Sequence, residues 1–362
     1  MEDTTAVTRA PADEEPARAV RTSRRSFIGT AAGLTGAALA AGAWRPVGDP
    51  REVAPGRTYL TGKFALELDG TDVGFLKRAE GGNVTADVVT TSSGTYYRSK
   101  HIANLRYEDF ELDIDLSLAG SVYQWINASW TGGAPRKDGA IVVADQSLNA
   151  ISRREFKEAL ITETRIPACD AASKDAGVIT LRLAVEQAQK KAASGKVSGN
   201  LGTKQKTWSP ANFRLDVQGV DAKKVSKIDA FSVKQGVTES SGEFRHPEKT
   251  PSQLEYGDLV VTVAESGSAD WTKWFDDFVI AGNNGEDKEK QAALSFLSPN
   301  LGEVLAHIHF WNVGIYSLAD APASAGDTLR KVIARLYYER AEFHIGPWET
   351  GPDGPVYCVK CA

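Results

Sequence analysis

Two short clusters in this sequence have the residue types and spacing of reactive sites. His307-Ile308-His309 places imidazoles at i and i+2. On a strand that spacing turns both rings to one face, as metal ligation would require. No acidic or cysteine neighbour completes the set along the chain, so the alternative is an ordinary sheet face. Cys358-Val359-Lys360-Cys361 is a C-x-x-C at the extreme C-terminus. Redox motifs sit at helix N-termini, where the dipole lowers a thiol pKa, whereas this one lies among Gly and Pro. Three readings stay open for Cys358 and Cys361: a disulfide if the chain is exported, a metal or redox site, or free thiols. Adjacent acids occur at Glu108/Asp109, Asp113/Asp115 and Asp276/Asp277. A glycosidase uses such a pair, but Asp113 and Asp115 alternate with apolar residues and should face water. There is no G-x-S-x-G, P-loop or G-x-G-x-x-G pattern. No catalytic residue and no cofactor is therefore assigned.

Composition narrows the class further. The chain has 362 residues, 42% hydrophobic and 25% charged, with net charge -5. Apolar content of this kind supports packed cores, and the length suggests two or three domains. An acidic balance disfavours nucleic acid, whose phosphates call for excess Lys and Arg. Three cysteines cannot staple a chain of this size. No apolar run has the ~18 residues of a membrane span.

The N-terminus has the composition of an address. A polar stretch leads to Ser23-Arg24-Arg25-Ser26-Phe27-Ile28, then a mild Ala/Gly/Leu run ends Ala41-Gly42-Ala43. Residues 1–43 resemble a twin-arginine export signal, with Arg24 and Arg25 as the pair and A-x-A as the cleavage site. Residues 44–62 form a lead-in.

The elements that must position any site come in duplicate. Phe64, Leu66, Gly70 and Asp72 recur as Phe213, Leu215, Gly219 and Asp221. Leu105, Tyr107, Asp109 and Trp125 recur as Leu254, Tyr256, Asp258 and Trp274. One shift of 149 residues, the distance from Phe64 to Phe213, holds throughout. Each copy opens with an alternating strand and a turn, Asp69-Gly70 or Gln218-Gly219. A second strand follows, with Phe110, Leu112, Ile114 and Leu116 in one copy and Leu259, Val261 and Val263 in the other. The period then changes from 2 to 3.6. Val122, Trp125, Ile126 and Trp130 form one helical stripe, and Trp271, Trp274, Phe275 and Phe278 form its repeat. Ser121/Gln124 have capping-box spacing, and Ser268 and Asp270 lie at the second helix's N-terminal end. Further strands are expected at Ile141/Val143, Leu160–Ile166, Ile179–Val185 and Val332–Tyr338. Under the repeat, His307/His309 fall near Glu158/Leu160, or near Thr162/Thr164 with a gap. Neither place holds a second His pair, so the shared function does not need one.

The expected organisation is domain 1 over 63–186, a flexible Gln/Lys/Ala/Ser/Gly linker over 187–208, domain 2 over 209–345 and a Gly/Pro tail over 346–362. The fold class is mainly β with one helix per domain: two tandem antiparallel sandwiches or small barrels.

Several segments resemble the phage tail tube protein family, related to type VI secretion and other contractile injection tubes. They are Lys63–Gly70, Lys137–Val142, Ser152–Phe156 running on to Ala168–Lys174, Phe213–Asp221 and Gly282–Asp287. The resemblance implies a structural subunit, not an enzyme. Its partners would be copies of itself and sheath or baseplate-like proteins. Domains of that family join strand edges into a ring of six, so three tandem chains would suffice. It also implies cytoplasmic assembly, whereas Arg24-Arg25 implies export to the periplasm or beyond. The competing function is an exported metal-dependent enzyme or binding module on a duplicated β scaffold, with His307/His309 as its ligands.

Overall fold

The computed structural model describes residues 62–93, 96–198, 208–240, 246–322 and 330–347, plus the backbone of 349–351 and 354–356. Arg24, Arg25, Cys358 and Cys361 lie outside the described residues.

The first described elements form a hairpin, β1 (Lys63–Leu68) and β2 (Thr71–Leu76). Asp69 and Gly70 turn it, both at positive φ (49° and 77°). A two-residue loop with that backbone matches the right-handed twist of the strands it joins. Next come β3 (Arg78–Gly81), β4 (Val84–Ser93), β5 (Tyr97–Tyr107) and β6 (Phe110–Ile114). β6 buries Phe110, Leu112 and Ile114 on one face, as its period of two requires. Helix α1 (Gly120–Trp130) follows, then β7 (Lys137–Ala144) and the long β8 (Ala150–Ile166). The first copy ends with β9 (Cys169–Asp170), β10 (Ile179–Ala184) and β11 (Gln187–Ala192).

The second copy repeats this order with β12 (Phe213–Val217), β13 (Val225–Ile228), β14 (Phe231–Ser240), β15 (Glu248–Tyr256) and β16 (Leu259–Ala264). Helix α2 (Ala269–Phe275) continues into a π-helical turn, Asp276–Ile280. Then come β17 (Lys290–Leu297), β18 (Val304–Asp320), β19 (Lys331–Tyr337) and β20 (Arg340–Ile345). Gly219, at φ 69°, turns the chain after β12 as Gly70 does after β1.

Strand pairing repeats as closely as strand order. The first sheet runs β2-β1-β7-β8-β10-β6-β3, and the second runs β12-β17-β18-β19-β16-β13, with β9 of the first copy added beside β13. All of these pairings are antiparallel. β11 flanks β8, and β20 flanks β18. The hairpin β4/β5 pairs Val84 with Tyr107 and Thr90 with Lys100. The hairpin β14/β15 pairs Val233 with Tyr256 and Glu239 with Lys249, the same register moved by 149 residues, with a bulge at the same place. One buried cluster runs through both copies, and the described residues from Gly62 onward belong to a single compact unit.

Several expectations change in detail. Gln187–Ala192, expected as flexible linker, is strand β11 paired along Ser152–Lys157. Backbone hydrogen bonds hold it, and Ala188 alone is buried, so its sequence carries no apolar signal. Trp208, at the other end of that stretch, is buried 4.7 Å from the Phe296 ring. The capping box at Ser121 does not form: α1 begins at Gly120 behind Ala119, with no side-chain cap. Ser268 stands at the N-cap of α2, but its hydroxyl bonds back to the Glu265 carbonyl. Asp115 is buried rather than solvent-facing, accepting bonds from Ser117 and pairing with Lys77 at 2.8 Å. Part of the C-terminal tail forms a small ladder, Glu349–Gly351 against Gly354–Val356.

Candidate functional site

The helical stripes face inward. Val122, Trp125, Ile126 and Trp130 are buried, as are Trp271, Trp274 and Phe278, while Phe275 is half-buried. Each buried ring of this size contributes roughly 1.5–3 kcal/mol. The Trp125 indole donates to the Pro135 carbonyl (2.8 Å) and Trp271 to the Asp221 carbonyl (3.1 Å), so burial leaves neither N–H unbonded.

The imidazoles of His307 and His309 share one face of β18, both almost fully buried. Pairing with β20 sets His344 opposite His307 and Glu342 opposite His309. His307 Nδ1 lies 3.0 Å from the Gly346 carbonyl, and its ring stacks on His344 at 5.2 Å. His344 Nε2 is 3.2 Å from Glu342. Burial pushes both His307 and His309 down to about 4. Strand pairing thus supplies the acidic and imidazole neighbours that sequence distance hides. Even so, among the described residues no group of three or more His, Cys, Asp or Glu side chains could hold a metal ion.

The repeat relation of these histidines also needs correcting. Four extra residues between α2 and β17 raise the shift to 153, as from Val143 to Phe296, and the matched register along β18 adds one more. His307 and His309 therefore correspond to Arg153 and Glu155. Those side chains form ion pairs instead, Arg153 with Glu67 at 2.7 Å and Glu155 with Lys191 at 2.5 Å. Cys169 is buried, and burial pushes its thiol up to about 12, far from a reactive thiolate.

The more developed feature is where the copies meet. Phe231, Ser232, Val233 and Lys234 of β14 pair with Ile166, Arg165, Thr164 and Glu163 of β8. The second copy's hairpin thereby adds two strands to the first copy's sheet. Phe231 is buried and packs on Phe310, and Thr164 and Ile166 beneath the added strand are buried as well. Around this pairing, Tyr256 donates its hydroxyl to the Trp130 carbonyl at 2.5 Å. α1 rests on β20, with Phe343 beside Tyr123 and Trp130, and the Phe343 N–H donating to Asn127. The Lys249 ammonium, 4% exposed, lies 3.4 Å from both Asp109 and Glu239, and its backbone N–H donates to Glu186 at 2.8 Å. A groove of about 810 Å³ runs along the junction, lined by paired charges that include Arg182 and Glu163.

The repeated β units of this chain thus join through a strand edge. Residues 60–189, the first copy, match the family model of the T4-like virus tail tube protein gp19. That match spans about a third of the chain. Among solved structures, a chain of the PVC sheath-tube complex, an extracellular contractile injection system in its extended state, is 15% identical. It covers 40% of this chain and 99% of its own, with a TM-score of 0.35. The anti-feeding prophage tube-terminating cap is 21% identical, covering 38% of this chain and 90% of its own, with a TM-score of 0.33. No curated protein sequence matches.

Proposed function

We propose that the chain is a self-assembling structural subunit of a phage-tail-like tube or ring. Its tail-tube-like domains run from β1 to β11 and from β12 to β20, and it carries no catalytic role. The observation behind this reading is the junction of β14 with β8, one domain extending its neighbour's sheet inside a single chain. An exposed strand edge templates further pairing, and closed rotational symmetry satisfies every such edge at once. Three tandem chains would then make a ring of six domains, and rings would stack. Sheath or baseplate-like proteins are the expected outer partners. Among the described residues no helix is long and apolar enough to cross a membrane. Native mass spectrometry of the full chain should show a three-chain species. A stable monomer at high concentration, with no rings by negative-stain microscopy, would rule the reading out.

A further inference from the structure

The in-chain junction has two halves, and each half has a counterpart that, among the described residues, lacks the matching strand partner. On the first copy, β4/β5 is the register-matched equivalent of β14/β15, yet among the described residues it pairs with no strand but itself. On the second copy, Ser317–Asp320 of β18 is the equivalent of Glu163–Ile166 of β8. It pairs with β19 on one side, and no described strand lies on the other. Exposure follows the same division. Thr164 and Ile166 are buried under β14, whereas Leu318 is half-buried and Asp320 exposed.

Most of the exposed large apolar side chains lie on these two surfaces, Leu301 in the β17–β18 turn being an exception. Val84, Val88 and Ile102 lie on the free hairpin, and Val279, Ile280 and Tyr316 lie beside the free edge. Charge is matched as well. The place of Lys249 is taken by Lys100 on the free hairpin, and the places of Asp109 and Glu186 are taken by Asp258 and Glu339 beside the free edge.

Resting on the tube-subunit reading, we infer that β4/β5 of one chain docks on the Ser317–Asp320 edge of a second copy, in the register that β14 uses on β8. The pairs are Asn83 with Ala319, Val84 with Leu318, and Thr85 with Ser317; Gly82, before β4 and at φ 68°, stays outside the ladder. Lys100 meets Asp258 and Glu339 of the second copy. The contact is head-to-tail, so it leaves a free hairpin at one end and a free edge at the other until a ring closes.

Directly opposed antiparallel residues have Cβ atoms about 4.5–5.5 Å apart, close enough for a disulfide after small adjustment. The test uses full chain carrying Cys358→Ser and Cys361→Ser. One sample adds Val84→Cys, the other Leu318→Cys, and the two are mixed and oxidised. The expected result is a covalent heterodimer, absent when Thr90→Cys replaces Val84→Cys. In addition, Lys100→Glu should lower assembly at least tenfold, and Asp258→Lys should restore it. Rings that assemble without the Val84–Leu318 link would overturn this docking while leaving the tube reading intact. A chain that stays monomeric in every sample would overturn both.

Discussion

The two hairpins share one register and one bulge, but not one set of anchors. β14/β15 is seated by large apolar groups, with Phe231 buried at its root and Phe343 of β20 packed on Trp130 beside it. At the corresponding positions Gly82 stands just before β4, Lys190 on β11, and Val279 on the π-helical turn after α2. An aromatic contact inside the chain is replaced by a smaller, more charged one where the free surfaces lie. Permanent interfaces resemble a domain core, and separable ones are more polar. On the tube-subunit reading, the difference separates a junction built to be permanent from one left for assembly.

Breaking the permanent junction should have the largest effect. Phe231→Ala should cost about 3–5 kcal/mol of stability, read as a shifted denaturant midpoint. Val84→Ala on the other hairpin should stay within about 0.5 kcal/mol for the single chain, because its side chain is exposed. Equal losses at the two sites would erase the distinction.

Acid should act on the second copy's sheet. His307 and His309 are held at about 4 in the folded chain, below the 6.5 of an unperturbed imidazole. As pH falls, the unfolded chain takes up protons first. Their neutral burial therefore costs nothing above pH 6.5, and stability drops between pH 6.5 and about 4. The slope is at most about 1.4 kcal/mol per pH unit for each histidine. The neighbouring Glu342 opposes this at His309, while Arg340 and His344 reinforce it. His307→Gln should flatten the pH dependence of the melting temperature, whereas Arg153→Gln, its first-copy equivalent, should not.

Tyr256→Phe removes the bond to the Trp130 carbonyl and should cost about 1 kcal/mol. The mildest intervention is salt. Raising it from 50 to 500 mM should weaken assembly, since the free surfaces match charges, while the melting temperature of the single chain moves little.

The sequence makes some of this design legible and conceals the rest for physical reasons. β1, β6 and their repeats alternate strictly because one face is core, and Gly70 and Gly219 mark turns that need positive φ. The aromatic stripes announce both helices. The hairpins are different. β15 reads Glu-Lys-Thr-Pro-Ser-Gln-Leu-Glu-Tyr, polar and interrupted by Pro251, because its ladder is made by backbone and its side chains are largely wet. β11 is hidden in the same way. The partners of His307 and His309 come from β20, whose register no local pattern encodes. The loss of the constant shift beyond α2 also misplaced their first-copy equivalents.

A tube subunit of this design must close on copies of itself. Electron microscopy of the purified full chain, with class averages of end views, tests this directly. The account predicts closed rings with six similar lobes from three chains, lost in Lys100→Glu and regained with Asp258→Lys. Isolated two-lobed particles at every concentration would contradict it.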